Sequence, residues 1–163
     1  MHKCLPVIST ILWDLDGTLI DSEHIHDEAV VHACELMGIH PDVKSLSPGQ
    51  DAVTVFELVT GEVLNAKNIK VFNKWHDIAI QYTLNNFHKA RKISQTIELV
   101  HEFARLGLVQ SIVSNTSSNI IHQCIDSSEI APYITNLIGR DNVSNGKPSP
   151  EPYMYAMRLH KVE

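Results

Sequence analysis

Two carboxylates stand two residues apart near the start of the chain. An apolar run that begins at Val7 delivers Asp14 and Asp16 and then breaks at Gly17. In an extended segment, residues two apart lie on one face, so a strand ending here would direct both carboxylates into the same space. Two anions held that close repel each other unless a cation lies between them or one binds a proton. Because Mg2+ prefers oxygen ligands, the spacing indicates a site for a divalent cation.

The same residues have a simpler interpretation. Asp16-Gly17 is also an ordinary turn dipeptide, so an acidic turn after a buried strand would explain the string without any chemistry. Two residues later in the chain also have both a functional and a purely structural interpretation. Ser114 follows a β-rich run and could donate a hydrogen bond to a ligand or cap a helix. Lys147 could hold an anionic ligand or be a solvated loop lysine.

The hydrophobic pattern predicts the elements that would position these groups. Strands are predicted over residues 7–13, 108–113 and 136–139, with amphipathic helices over 94–106, from Thr116 or Ser117, and from Pro150 or Pro152. Three further helical patterns follow one another between residues 21 and 89. The third contains a largely aromatic stripe that is typical of a core, formed by Phe72, Trp75, Ala79 and Tyr82. Alternating strands and helices predict a doubly wound parallel sheet, whose ligands bind beyond the carboxyl ends of the strands. That rule would bring the polar groups to one crevice.

In their order along the chain, these motifs resemble those of the haloacid dehalogenase superfamily, specifically its phosphoglycolate-phosphatase and β-phosphoglucomutase-like branch. Residues 14–19 (Asp-Leu-Asp-Gly-Thr-Leu) are similar to the first motif, Ser114-Asn115 to the second, and Gly146-Lys147-Pro148 to the third. The resemblance implies an α/β fold with a Rossmann-like parallel sheet and a helical cap inserted after the first strand. Residues 1–20 and 90–163 would form the core, and residues 21–89 the cap.

The resemblance also implies roles for these residues. Asp14 would attack the phosphate and form an aspartyl-phosphate, while Asp16 would protonate the leaving alcohol and later deprotonate water. Mg2+ would bind Asp14 and the backbone carbonyl of Asp16. Lys147 would stabilise both the phosphoryl group and Asp14. Phosphate-binding roles would fall to Thr18, Ser114, Asn115 and Lys147.

His26 lies at the start of the predicted cap, where similar sequences often carry a histidine. The resemblance implies that it would engage a second phosphate in a mutase or position the general acid. An exposed helix histidine is the plainer alternative.

The implied function is a Mg2+-dependent phosphatase acting on a small phosphorylated metabolite. A sugar-phosphate mutase that uses the same aspartyl-phosphate is one alternative, and a non-catalytic remnant that binds another molecule is a second. The acid at Asp16 favours phosphoryl transfer over dehalogenation, which has no alcohol to protonate. Receiver domains also combine Asp, Ser or Thr, and Lys, but their phosphorylated aspartate follows an earlier acidic pair, whereas here the pair opens the chain.

The chain departs from the family pattern after the third motif. Family members continue into a further strand with one or two acidic residues that complete the Mg2+ site, whereas residues 153–163 predict only part of a helix. We therefore expect a chain truncated before the fourth motif, with a metal ligand missing and turnover reduced. The first strand would also lack a neighbour, and its apolar edge would invite self-association.

Composition limits the other classes of function. The 163 residues carry a formal net charge of -6, which gives no basic surface for nucleic acid. The three cysteines are widely spaced and contain no Cys-x-x-Cys pair, so neither a disulfide framework nor a zinc site is indicated. The N-terminal apolar stretch is too short for a signal-peptide core or a membrane span. We therefore expect a cytoplasmic protein with no membrane partner.

Overall fold

Two short strands precede a run of three helices, and strands and helices alternate after that run. The structure is a computed structural model that describes residues 8–41, 46–126 and 128–160. Its elements are, in chain order, β1 Thr10–Trp13, β2 Ile20–Asp21, α1 Glu23–Leu36, α2 Ala52–Thr60, α3 Ile69–Asn86, β3 Arg91–Lys92, α4 Ser94–Arg105, β4 Val109–Val113, α5 Ser118–Ile125, β5 Asn136–Ile138 and α6 Glu151–His160. The predicted α/β class is confirmed.

A three-stranded parallel sheet carries the site. The strand order is β1-β4-β5, with Leu12 opposite Ser111 and Ser111 opposite Asn136. The predicted parallel sheet is therefore confirmed, and β1 begins at Thr10 within the described residues. Because the strands run in one direction, the loops that follow β1 and β4 leave the sheet at the same edge.

A buried polar side chain joins the sheet to a covering helix. The Trp13 indole nitrogen donates to Gln110 Oε1 at 2.9 Å, and Gln110 Nε2 donates to the Val100 carbonyl of α4 at 3.0 Å. Gln110 is fully buried, so these bonds form away from water. They tie β1 and α4 to β4 and satisfy polar groups that would otherwise lie unpaired in the core.

Apolar residues set the direction of the loop after β1. Leu15 and Leu19 are completely buried and belong to the main core cluster with Trp13 and Ile112. Leu15 lies between the two aspartates in sequence. Its burial anchors the segment so that the flanking carboxylates remain outside the apolar core.

The three helices between β2 and β3 have a core of their own. Its buried members are Val30, Ala33, Cys34, Phe56, Val59 and Trp75. From the predicted aromatic stripe, Phe72 and Trp75 pack here, whereas the Tyr82 hydroxyl donates to Glu28 on the surface. None of the helices in the described ranges is long and apolar enough to span a membrane.

A short strand pair joins the two ends of this helical segment. β2 and β3 run antiparallel, with Ile20 opposite Lys92 and Asp21 opposite Arg91. The sequence pattern did not predict this pair, because two residues are too few to show an alternation. We propose that the pair marks the junction between a cap, residues 21–89, and the core formed by the rest of the chain.

Replacing Gln110 tests the buried connection between β1, β4 and α4. Gln110→Leu keeps most of the side-chain volume but leaves the Trp13 N–H and the Val100 carbonyl without partners. We expect the free energy of unfolding to fall by about 1–3 kcal/mol, as measured by urea denaturation. Gln81→Leu, on the exposed side of α3, is the control. Equal stabilities of the two variants would contradict the role assigned to Gln110.

Candidate active site

Asp14 and Lys147 form an ion pair where β1 ends. Lys147 Nζ lies 2.7 Å from Asp14 Oδ1, which also accepts the Leu15 backbone N–H at 2.8 Å. The Asp14 side chain is 43% exposed and that of Lys147 only 15%. Asp14 is thus held through one oxygen, while Oδ2 has no hydrogen-bond partner among the described residues.

Asp16, two residues on, has a different environment. Its Oδ1 accepts from Ser22 Oγ at 2.6 Å and pairs with His26 Nε2 at 3.0 Å. Its Oδ2 accepts from Ser114 Oγ at 3.1 Å and Thr116 Oγ1 at 2.6 Å. Burial alone would raise the pKa of this carboxyl, but the bond and charge of His26, with the Ser22 and Thr116 hydroxyls, bring the pKa far below its usual value. Asp16 is therefore ionised in this arrangement.

The imidazole of His26 is the partner of Asp16 on α1. Burial would lower the pKa of its imidazole, but the hydrogen bond and charge of Asp16, followed by the charges of Glu23 and Asp27, raise it. The His26 side chain is 28% exposed and that of Asp16 is 11% exposed. The alternative of an exposed helix histidine is wrong, because α1 directs this ring onto the carboxylate.

Asn115 connects three segments through its carboxamide. Its Oδ1 accepts the Lys147 backbone N–H at 2.8 Å, and its Nδ2 donates to the Lys147 carbonyl at 3.0 Å. The same Nδ2 donates to the Gly49 carbonyl, in the loop before α2, at 2.9 Å. Gly146 allows this close approach, because a Cβ there would lie 2.6 Å from Asn115 Oδ1. Asn115 therefore fixes the Lys147 loop and holds the loop before α2 against it.

Hydroxyl residues stand at the starts of α1 and α5. Neither Ser22 before α1 nor Ser117 before α5 makes a side-chain cap hydrogen bond. Ser22 and Thr116 instead donate to Asp16. The α5 N-terminus is capped by Asp141, which accepts the Ser118 backbone N–H at 2.7 Å. Of the two residues predicted to begin α5, Ser117 is its N-cap residue, although its side chain makes no capping hydrogen bond. The Thr116 hydroxyl binds the buried Asp16 carboxylate instead.

One cavity of about 540 Å³ lies over these groups. The predicted residues that line it are Asp14, Asp16, His26, Ser114, Asn115 and Lys147. Thr18 is not among the lining residues, and its carbonyl accepts the Thr96 hydroxyl at 2.6 Å, so its phosphate-binding role stays a prediction.

Several residues of the cavity wall were not predicted from the sequence, among them Thr116, Glu23 and Asp27. Thr116 stands two residues after Ser114, a spacing that could have indicated a shared face. Glu23 and Asp27 also line the cavity. Burial, followed by the charge of Asp16, raises the pKa of Glu23. The cavity wall is therefore strongly acidic beside the Asp14–Lys147 pair.

Only some of the oxygen groups of the site are available to bind a hard cation. The described residues contain no group of three or more His, Cys, Asp or Glu side chains that could hold a metal ion. Both carboxylate oxygens of Asp16 already accept hydrogen bonds, so its backbone carbonyl is the group left to bind a cation. Asp14 Oδ2 lacks a partner among the described residues. Mg2+ is commonly bound by one or two carboxylates together with water and substrate phosphate, which these two groups could satisfy.

Comparisons with known proteins identify the family and the fold. A family model for haloacid dehalogenase-like hydrolases matches residues 11–163. The chain is 27% identical over 154 residues to a validoxylamine A 7'-phosphate phosphatase of Streptomyces hygroscopicus subsp. limoneus, covering 93% of this chain and 71% of that protein. It is 26% identical over 170 residues to a phosphoglycolate phosphatase of Vibrio parahaemolyticus, covering 96% and 72%. The crystal structure of a hydrolase from Pseudomonas syringae superposes with a TM-score of 0.80 at 19% identity, covering 96% and 72%.

The Asp16–His26 pair predicts a pH-dependent contribution to stability. The folded-state pKa of His26 is raised, so the stability it contributes is complete below about pH 6.5, the pKa of an unperturbed histidine, and is lost as the pH rises through the folded-state value. The pKa of Asp16 is lowered, so its contribution is lost only in strong acid. We expect His26→Gln to lower the free energy of unfolding by about 1–3 kcal/mol at pH 5.5 and by less at pH 9.

The measurement is urea denaturation of both proteins from pH 5 to pH 9. His24→Gln, on the exposed side of α1, is the matched control and should differ from the parent by a constant amount. A difference for His26→Gln that grows with pH would contradict the ion pair.

The Asn115–Gly49 hydrogen bond predicts that two similar glycines will respond differently to substitution. Gly49 and Gly61 both have positive φ, +78° and +69°, and a Cβ at either position would meet nothing within 4 Å. Alanine is therefore similarly strained at both, by about 1–2 kcal/mol. Only the Gly49 carbonyl accepts from Asn115. We expect Gly49→Ala to increase acrylamide quenching of tryptophan fluorescence, because Trp75 lines the cavity, whereas Gly61→Ala leaves quenching unchanged. Equal quenching in the two variants would contradict the connection.

Proposed function

This chain belongs to the haloacid dehalogenase-like hydrolase family, and from that premise we propose that it is a phosphatase that hydrolyses a small phosphorylated metabolite through an aspartyl-phosphate on Asp14. The observation that carries the proposal is the Asp14–Lys147 ion pair at the floor of a cavity that Asp16 and Ser114 also line. An anionic substrate needs local positive charge, and in a chain of net charge -6 Lys147 supplies it at the nucleophile.

The environment of Asp14 suits an attacking group. Lys147 and the Leu15 N–H hold Oδ1, which leaves Oδ2 to approach phosphorus. Attack by Oδ2 forms a bond to phosphorus and breaks the bond to the leaving oxygen. The Lys147 ammonium then lies close to the transferred phosphoryl group and stabilises the negative charge on its oxygens.

The Asp16–His26 pair supplies and recovers a proton. Asp16 accepts four hydrogen bonds, which favour its ionised form, and the adjacent His26 carries the proton. Transfer from His26 to Asp16 gives the acid that protonates the leaving alkoxide. In the second step, water attacks the aspartyl-phosphate while Asp16 takes a proton from it, which regenerates Asp14 and returns the proton to the pair.

The proposed reaction also uses a divalent cation. The Asp14 carboxylate and the backbone carbonyl of Asp16 would hold Mg2+, which when bound would neutralise charge on the phosphoryl oxygens. The proposed location is the cytoplasm, supported by the free thiols of Cys34 and Cys124 within the described residues.

The alternatives receive less support from the site. A sugar-phosphate mutase would use His26 for a second phosphate, but this ring is bound to Asp16. The hypothesis of a non-catalytic remnant does not explain why one cavity is lined by Asp14, Asp16, Ser114 and Lys147. Isomerisation of a bisphosphorylated hexose without net release of phosphate would favour the mutase.

Substitution of Asp14 tests the enzymatic proposal. We expect Asp14→Asn to lower phosphate release from p-nitrophenyl phosphate, measured with Mg2+ present, by at least about 100-fold, because the amide is a poor nucleophile. Asp126→Asn changes a carboxylate at the exposed end of α5 and should keep the parent rate. Equal rates for the parent protein and Asp14→Asn would show that the proposed nucleophile is wrong.

A further inference from the structure

The cavity extends past the phosphate-binding groups into the helical segment. Six residues of α1 and α3, which we call the recess, line this part: Ala29, Val30, Trp75, His76, Ala79 and Thr83. Ala29, Trp75 and Thr83 are each only 2% exposed. The cavity therefore reaches the interior between the two helices rather than ending at the surface of the cap.

The walls of the recess are almost entirely apolar. Two of its residues are alanines, and the Thr83 hydroxyl donates to the Ala79 carbonyl of its own helix at 3.0 Å. Small side chains leave room between α1 and α3, and Trp75 lines the cavity beside them. A ligand group that fills such a space gains free energy by removing apolar surface from water.

His76 is the polar group of the recess with free hydrogen-bonding capacity. Its ring stacks on Phe72 with centroids 5.4 Å apart and planes 12° apart. Burial lowers the pKa of its imidazole, against the opposing charge of Asp77, so the ring is neutral at physiological pH. A neutral imidazole has one donor and one acceptor, and neither is used by the described residues. It can therefore recognise a hydroxyl.

The volume of the cavity and the charges on its wall restrict the class of ligand further. A volume of about 540 Å³ falls within the roughly 300–1,000 Å³ of pockets for drug-sized molecules, which is more than a phosphate with two carbon atoms requires. Glu23 and Asp27 line the same cavity as Asp14 and Asp16. These anions oppose a carboxylate or a second phosphate on the leaving group.

Resting on the proposed phosphatase activity, we infer that the substrate is a phosphate monoester of an uncharged alcohol with a ring or branched hydrocarbon body. That body occupies the recess, and a hydroxyl on it binds His76. Ala79 is then a specificity-determining residue, because a larger side chain there takes the space of the leaving group without touching the phosphate.

The test compares two esters of similar leaving-group reactivity, cyclohexylmethyl phosphate and ethyl phosphate, together with 2-phosphoglycolate. For the parent protein with Mg2+, we expect kcat/KM for the cyclohexylmethyl ester to exceed that for the ethyl ester by at least tenfold. We expect 2-phosphoglycolate to be the poorest of the three. Ala79→Leu should reduce the cyclohexylmethyl-to-ethyl ratio of kcat/KM by at least tenfold. Gln81→Leu, on the exposed side of the same helix, should keep the parent ratio.

The outcomes separate the two proposals. Equal kcat/KM values for the two alkyl esters in the parent protein would overturn the recess inference and leave the phosphatase proposal standing. So would a preference for 2-phosphoglycolate, or a folded Ala79→Leu variant that keeps the parent ratio. Because the parent comparison needs no variant, the inference remains falsifiable if Ala79→Leu does not fold. Release of phosphate from none of the esters would overturn both proposals.

Discussion

The arrangement of the site depends on one buried carboxylate. Asp16 accepts hydrogen bonds from Ser22 and His26, near the start of α1, and from Ser114 and Thr116, after β4. A buried anion is tolerated only when its oxygens are compensated, and these donors come from two segments about 90 residues apart in sequence. Satisfying Asp16 therefore fixes the start of the helical segment relative to the sheet.

Asn115 adds a second connection of the same kind but with neutral groups. Its carboxamide binds the backbone of Lys147 on both sides and the Gly49 carbonyl. The lysine that pairs with Asp14 and the loop before α2 are therefore positioned by one side chain. This arrangement couples the position of the Lys147 charge to the position of the loop before α2, because a shift of either segment costs a hydrogen bond of Asn115.

The sequence allowed the sheet and most of the site to be predicted, for a definite physical reason. Parallel strands end at one edge, so Asp14 and Ser114 had to come together once β1 and β4 were identified. The partners of Asp16 could not be predicted in the same way. Ser22 and Thr116 stand where hydroxyl residues ordinarily cap helices, and a hydroxyl suits a backbone N–H or a carboxylate equally well. Which of these partners a hydroxyl binds depends on which polar group is buried nearby. The spacing of residues in the sequence does not carry that information.

The two aspartates that open the chain show how neighbouring residues of one type acquire different tasks. Asp14 is 43% exposed and paired through one oxygen, whereas Asp16 is 11% exposed and bonded through both. Two carboxylates whose exposure and hydrogen bonding differ this much are suited to separate roles. An exposed carboxylate with a free oxygen can reach phosphorus, while a buried one beside a protonated histidine can exchange a proton without leaving its place. The burial of Leu15 between them creates this difference, because it anchors the chain where one carboxylate faces the cavity and the other is enclosed by donors.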